Sequence, residues 1–241
     1  MKKISLIFVC FLGVFFAGCA SVEQKNEVQR VAVFSISSNV SINWYDDGFN
    51  KDENVKKGGV LSDQLNKIVD GKNPEHFTSQ ERLAAADEIF RAKMDELAGI
   101  TVIEKEDFLK SATYDAQNES TLSYIESRDF LDGYKRIPSL GRKKNRLIMQ
   151  ETGIQKMYRF DFKFEKKLAQ GNRWNGQVAA LAQMQVYEID STGKVARPKV
   201  YDVKSVSTVP IVNRKYSQQA VVDLYPELIE NLIVKFVMDL M

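Results

Sequence analysis

The stretch Met157-Tyr-Arg-Phe-Asp-Phe-Lys-Phe-Glu165 alternates large rings with charged side chains. Because successive side chains of a β-strand point to opposite faces of a sheet, this period of two predicts one apolar and one polar face. The predicted core face consists of four rings: Tyr158, Phe160, Phe162 and Phe164. The predicted solvated face consists of four charged side chains: Arg159, Asp161, Lys163 and Glu165. Strict alternation of this kind is typical of a half-buried strand of antiparallel type.

The residues that follow predict the rest of a sheet. A polar hairpin at 170–176 leads into a second long strand at 177–189. Ser191-Thr192-Gly193 then predicts a turn, and residues 200–209 predict a third strand. The long pair of strands and the closing helix are expected to form the core.

The chain closes with an amphipathic pattern that predicts a helix. Its apolar stripe recurs at helical spacing and consists of Leu224, Leu228, Leu232, Phe236 and Leu240. If Asp223 caps this helix, Pro226 falls in its first turn, where its missing amide hydrogen costs nothing.

The region before the aromatic strand carries two clear signals. Residues 30–37 are β-rich and apolar enough for a buried first strand. Residues 78–98 predict a helix, because Thr78 and Glu81 fit a capping box and Gly99 follows the apolar stripe. Shorter elements are predicted around it: a helix at 60–69, a strand at 100–103, and helical turns at 104–110 with Phe108 and Leu109 facing inward.

Less regular segments separate these elements. Residues 38–59 predict a long loop with room for a short strand at 40–45, and residues 111–138 predict a packed loop or short helices. Residues 139–152 predict a helix with Ser139 as its N-cap and Gly153 beyond its end. We therefore expect an α/β (α+β) fold, in which helices pack on one face of a mixed, largely antiparallel sheet in a single domain over 30–241.

Residues 1–18 have the layout of a secretory signal peptide. Lys2 and Lys3 precede an apolar run at 4–16, which is shorter than the roughly 20 residues that a membrane-spanning helix needs. Phe16-Ala17-Gly18-Cys19 then resembles a lipobox, the site where bacteria attach diacylglycerol to a cysteine and cleave before it. The match departs from the usual pattern at Phe16, where Leu is common.

This resemblance identifies the chain as a bacterial lipoprotein precursor and implies that Cys19 carries acyl chains such as palmitate. Residues 19–29 then form a lipidated tether. Because no Asp follows Cys19, the resemblance implies sorting to the outer membrane, with the domain facing the periplasm. The alternative is an ordinary secreted protein in which a cysteine falls at the cleavage site by chance.

Composition excludes several classes of protein. The formal net charge of the chain is +2, and the leader carries two lysines and no acid, so the mature chain has no basic excess that would indicate nucleic acid. The chain has two cysteines, Cys10 in the leader and Cys19 at the predicted lipidation site. The mature body therefore has neither disulfides nor cysteine metal sites.

The order of elements resembles a group of envelope proteins. The group comprises the curli-secretion lipoprotein, the penicillin-binding-protein activator lipoproteins and the N-terminal domain of the Tol-Pal translocation protein. The segments that carry the resemblance lie at 30–34, 100–109, 152–158 and 186–194. The resemblance implies an α/β module that binds an envelope protein partner. The sequence contains no pair of long alternating hairpins, so we do not expect a channel-forming member of this group.

The inventory of reactive side chains is thin. His76 is the sole histidine, and it lies in a turn where a plain surface residue is the simpler interpretation than a general base. An acidic stretch could gather around calcium or remain a solvated loop, and its carboxylates are Asp46, Asp47, Asp52 and Glu53. No Gly-rich phosphate loop or zinc pattern is present. We therefore predict no catalytic, cofactor or metal site.

Two aromatic features remain as candidates for binding. Trp44-Tyr45 either forms a contact site or packs on the edge of the sheet. The leading hypothesis is a non-enzymatic protein-interaction module that docks on a partner from its lipid tether. The alternative is a lipoprotein that binds an apolar ligand in a pocket lined by Phe160, Phe162 and Phe236.

Overall fold

The aromatic strand lies at the centre of the sheet. A computed structural model of the chain describes residues 29–45, 77–119, 128–137 and 139–241. Its strands are β1 (Arg30–Asn39), β2 (Asn43–Trp44), β3 (Thr101–Val102), β4 (Arg128–Phe130), β5 (Lys156–Gly171), β6 (Gly176–Ile189), β7 (Lys199–Lys204) and β8 (Val209–Ile211). Its helices are α1 (Ser79–Ala98), α2 (Lys105–Leu109), α3 (Ala112–Asp115), α4 (Arg142–Thr152), α5 (Gln218–Val222) and α6 (Tyr225–Met238).

The sheet is mixed, as the sequence predicts. Its main path runs β3-β1-β5-β6-β7, with β2 paired to β5, β4 to β1 and β8 to β6. Strand β1 is parallel to β3 and β5, and β2 is parallel to β5. The β5–β6 hairpin and the pairs that β6 makes with β7 and β8 are antiparallel. The predicted α/β fold with a helix-packed mixed sheet is confirmed.

Strand β5 buries the four predicted rings. Tyr158, Phe160, Phe162 and Phe164 are each at most 1% exposed. The strand is longer than predicted, since it runs on to Gly171 and pairs with β6 along that length. On the other face Arg159, Asp161 and Lys163 keep some exposure, but Glu165 is buried, which contradicts its prediction as a solvated side chain. The Glu165 carboxylate is neutralised by Lys163 at 2.8 Å.

Helices α1 and α6 pack together over the ring face of the sheet. Phe90 of α1 and Phe236 of α6 both contact Phe160, with ring centroids 4.8 and 5.9 Å away. The predicted capping box is present, because the Thr78 hydroxyl accepts from the Glu81 amide and the Glu81 carboxylate accepts from the Thr78 amide. Gly99 ends α1 in the left-handed conformation that glycine adopts without strain.

Strand β1 is buried on both faces. Its residues 31–38 are all buried, so β1 carries no solvated face. Phe34 packs edge-to-face on Phe108 of α2 and Tyr114 of α3, at ring centroid distances of 6.4 and 5.8 Å. Helices therefore cover one face of β5 and β6, as expected, while β1 has a second layer of short helices. These short helices lie in segments predicted as helical turns (104–110) and as a packed loop or short helices (111–138).

Helices α4 and α6 are not capped by the residues that the sequence suggests. Helix α4 starts at Arg142 after Gly141, so Ser139 is not its N-cap. The start is held by tertiary contacts instead, since Asn145 Nδ2 donates to the Gly193 carbonyl at 3.0 Å and Arg142 Nε to the Thr192 carbonyl at 3.1 Å. Asp223 likewise does not cap α6, because it ends the short helix α5. Pro226 lies in the first turn of α6, as predicted.

The predicted strand at 200–209 is two strands. The Ser205 hydroxyl accepts from the Ala180 amide at 3.0 Å, in the place of a backbone carbonyl, and donates to the Ser207 carbonyl at 2.7 Å. Because these two hydrogen bonds of the Ser205 hydroxyl interrupt the backbone pairing, β7 ends here. The chain then bulges outward, which leaves Val206 93% exposed. Pairing resumes at β8, which meets the start of β6 at Gly176–Val178.

Several predictions lie outside the described residues. They concern the leader, Cys19 and most of its tether, the helix at 60–69, His76, and the acidic residues Asp46, Asp47, Asp52 and Glu53. The described helices include none that is long and apolar enough to cross a membrane.

Candidate interaction surface

Two hairpin turns meet at one end of the sheet. The first joins β5 to β6 at 172–175, and the second, at 213–214, follows β8. Two hydrogen bonds tie the turns together: the Asn213 amide donates to Asn175 Oδ1 at 3.0 Å, and the Arg214 amide donates to the Trp174 carbonyl at 2.9 Å. The two turns therefore form a single unit.

The first turn is held tightly by its own residues. Asn172 Oδ1 accepts from the amides of Trp174 and Asn175 at 2.8 and 3.0 Å, which is the turn geometry that Asn favours. Gly171 has a φ of +74°, and a Cβ on it would contact the Asn175 carbonyl. The backbone under Trp174 is thus fixed by both side-chain hydrogen bonds and glycine.

In the second turn, an arginine has a backbone conformation that glycine would adopt with less strain. Asn213 and Arg214 have φ values of +50° and +64°. This left-handed pair closes a two-residue hairpin, whose preferred sequence is Asn-Gly. A residue with a Cβ costs roughly 1–2 kcal/mol in this conformation. The side chain of Arg214 uses the position to stack on Trp174, with its guanidinium carbon 3.6 Å from the ring centre.

These turns present an exposed group that we call the tip surface. Its residues are all exposed and consist of Arg173, Trp174, Val212, Arg214 and Lys215. Trp174 is 54% exposed and Val212 60% exposed, although both are large apolar side chains. Trp and Arg are the residue types most enriched where protein partners bind tightly.

Trp44 supports the tip surface from below. The Arg173 guanidinium lies 4.7 Å from the Trp44 ring centre, and Tyr216 packs edge-to-face on the same ring at 5.9 Å. Lys166 Nζ lies 5.7 Å from Trp44 and 5.5 Å from Tyr216, and donates to Gln218 Oε1. Of the two interpretations of Trp44-Tyr45, packing on the sheet edge describes both half-buried rings. Through Arg173, however, Trp44 also becomes part of the base of an exposed surface.

The two hairpins that build this end of the domain carry one sign of charge. Residues 166–181 contain three Lys or Arg residues, residues 209–217 contain two, and neither stretch contains Asp or Glu. The chain as a whole is close to neutral, so charge is distributed unevenly. A cluster of one sign attracts a partner of the opposite sign and speeds its association.

Sequence reasoning missed Trp174. The pattern at 170–176 predicts only a polar hairpin, because Asn, Gly and Gln dominate it. Two signals were available: an Arg-Trp pair at the centre of a hairpin, where a solvated ring has no core to fill, and the lack of acidic residues around it. Arg214 carried no local signal, since its stacking partner lies in another hairpin.

The pocket expected by the alternative hypothesis is filled. Phe160, Phe162 and Phe236 are each 1% exposed, and the Phe160 ring centre lies 6.4 Å from that of Phe162 and 5.9 Å from that of Phe236. The rings occupy the space between sheet and α6. A cleft of about 640 Å³ does open on the surface, but it is lined by polar side chains: Arg142, Lys143, Arg146, Ser191 and Thr192.

Several side chains have pKa values that are shifted by burial or by hydrogen bonds. Burial raises the pKa of the Tyr114, Tyr134 and Tyr158 hydroxyls. Hydrogen bonds from Ser111 and Thr113 lower the pKa of the Glu151 carboxyl, which ties α4 to the start of α3. Within the part of the chain that the structure describes, no group of three or more His, Cys, Asp or Glu side chains is arranged to hold a metal ion.

Comparison with known proteins finds weak likenesses of fold. No family model and no curated protein matches the chain. Among solved structures, the LpoB C-terminal domain from Salmonella enterica aligns at 11% identity over 74% of this chain and 84% of that one, with a TM-score of 0.30. The hypothetical protein CT253 from Chlamydia trachomatis aligns at 11% identity over 88% and 95%, with a TM-score of 0.37.

A third solved structure is similar at the same level. A Helicobacter pylori homolog of the neuraminyllactose-binding hemagglutinin aligns at 9% identity over 89% of this chain and 87% of that one, with a TM-score of 0.36. All three alignments have TM-scores below 0.5 and identities of 9–11%, so they show no more than a weak likeness of fold.

Proposed function

We propose that this chain is a lipid-anchored envelope protein that binds a protein partner through the tip surface and performs no chemistry of its own. Lipid on Cys19 holds it on the outer membrane, and the tether at 19–29 lets the domain face the periplasm. The support for the anchor is the lipobox resemblance, and the support for binding is the tip surface.

The observation that carries the proposal is the exposed, rigid pair Trp174 and Arg214. A free tryptophan on a hairpin turn gains little by itself, because half of its ring remains in water. Here it is held by a glycine-dependent turn, backbone hydrogen bonds and a stacked guanidinium. Rigid aromatic anchors lose little conformational entropy on binding, which is why they dominate protein interfaces.

The rival function, binding of an apolar ligand between sheet and helix, has less support. It requires space beside Phe160, Phe162 and Phe236, and these rings contact one another there. A ligand would have to displace the rings at the cost of several kcal/mol of packing.

Site-specific photocrosslinking in intact envelopes tests the proposal. A benzophenone side chain introduced at Val212 should form a discrete adduct with one protein, because Val212 borders Trp174 on the tip surface. The same group at Met238, which is 54% exposed at the end of α6, serves as the control and should form none. Adducts at both sites in equal amount, or at neither, would refute a dedicated surface.

A further inference from the structure

We propose that the tip surface binds an acidic segment of a protein partner, and that it does so at the end of the domain farthest from the lipid anchor. This inference rests on the proposed function and specifies the chemistry of the partner and the direction from which it approaches.

The direction follows from the strand order. Strand β1 is parallel to β5, and Val31 at its start is aligned with Lys156 at the start of β5. The chain therefore enters the domain from its tether at the Lys156 end of the sheet. The tip surface follows Gly171, after the 16 residues of β5. At about 3.3 Å per residue, roughly 50 Å separate the two ends.

The distance decides between two anionic surfaces. Arginine, lysine and tryptophan also suit the headgroup region of a bilayer, where tryptophan is enriched. A surface that contacts its own anchoring membrane would be placed near the point where the tether joins the domain. The tip surface instead lies at the opposite end, so it projects away from that membrane and towards other envelope proteins.

The chemistry follows from the charge. Arg173, Arg214 and Lys215 are exposed and lie in segments without a carboxylate. A planar guanidinium stacked on an aromatic ring keeps its N–H donors in its own plane, where they match the two oxygens of a carboxylate. An acidic segment with an apolar side chain for the Trp174 ring complements this arrangement.

The test uses the full-length acylated protein reconstituted in phosphatidylcholine vesicles. The probe is a fluorescein-labelled poly-glutamate peptide, with poly-glutamine as the neutral control. We expect the acidic peptide to bind and the neutral one not to, with affinity falling as salt rises because the charges are exposed. The double variant Arg173→Gln/Arg214→Gln should bind at least about tenfold more weakly, a loss of about 1.4 kcal/mol.

Matched variants localise the effect. Lys143→Gln/Arg146→Gln removes two cations from the polar cleft on α4 and should leave the affinity unchanged. If the double variant at the tip shifts the unfolding midpoint, Lys215→Gln is used in its place. The hydrogen bonds that Lys215 makes in the turn come from its backbone, which this substitution keeps. Equal losses in the tip and cleft variants would overturn the proposal.

A second arm distinguishes protein from membrane. Vesicles that contain equal amounts of phosphatidylglycerol and phosphatidylcholine are offered in place of the peptide. Capture of these vesicles without binding of the peptide would overturn the inference in favour of a bilayer. Crosslinking from Val212 without peptide binding would leave the proposed function standing and refute the acidic partner alone.

Discussion

The guanidinium of Arg214 stacks 3.6 Å from the ring centre of Trp174, although the two residues belong to different hairpin turns. The contact joins the end of β5–β6 to the turn after β8, and the backbone hydrogen bond from Arg214 to Trp174 repeats the link. The hydrogen bond holds the backbone beneath the exposed ring, and the stacked guanidinium favours one orientation of that ring. This pre-organisation is the physical basis for assigning a binding role to the tip surface.

Arg214→Gly should separate binding from stability. Glycine relieves a left-handed strain of roughly 1–2 kcal/mol, which offsets the loss of a cation–π contact worth about 0.5–1 kcal/mol. The free energy of unfolding in urea should stay within about 1 kcal/mol of the wild type, while binding of the acidic peptide weakens. Arg214→Asn, which tolerates the same backbone, serves as the control. Destabilisation by several kcal/mol would show that Arg214 is structural.

Gly193→Ala should destabilise the domain more than Gly99→Ala. Both glycines have positive φ, +78° and +61°, so alanine is strained at each. A Cβ at Gly193 would also overlap the Arg142 carbonyl at the start of α4, whereas nothing lies within 4 Å of one at Gly99. We expect roughly 1 kcal/mol for Gly99→Ala and about 3 kcal/mol for Gly193→Ala in chemical denaturation. Equal costs would mean that α4 moves freely to accommodate the methyl group.

Some elements of this fold can be predicted from local sequence patterns, and others depend on contacts between residues far apart in the chain. Period-two alternation predicts β5, and the Thr78–Glu81 box predicts α1, because both signals are local. The start of α4 depends on the turn at 191–193, and the end of β7 depends on the Ser205 hydroxyl replacing a carbonyl opposite Ala180. The Trp174–Arg214 stack also joins residues far apart in the chain. Periodicity and capping rules carry no information about such contacts.

Alkaline pH should destabilise the protein through its buried tyrosines. Burial raises the pKa of Tyr158 in the folded state above its ordinary value of about 10, so the unfolded chain releases the proton first. Its stabilising contribution is complete below pH 10 and falls by about 1.4 kcal/mol per pH unit above it. Urea denaturation from pH 9 to 11, monitored with tyrosinate absorbance, should show this fall. Tyr158→Phe should reduce the slope, and an unchanged slope would contradict the assignment.

Phe236→Ala should cost about 3–5 kcal/mol, because the ring contacts Phe90, Tyr158 and Phe160 in a filled core. The exposed Met238→Ala on the same helix serves as its control and should cost little. The wild-type protein should not take up an apolar dye such as anilinonaphthalene sulfonate. Saturable dye binding to the native wild type, lost in Phe236→Ala, would favour the ligand-binding alternative.

The central claim, that the domain works from a lipid anchor on Cys19, is tested most directly by membrane fractionation of Cys19→Ser with labelled palmitate. The account predicts that this variant incorporates no label and is not cleaved before residue 19, while its folded domain keeps the wild-type unfolding midpoint. Cys10→Ser, which alters the other cysteine in the leader, should incorporate label and remain membrane-bound. A Cys19→Ser protein that is processed normally and stays in the membrane fraction would contradict the account.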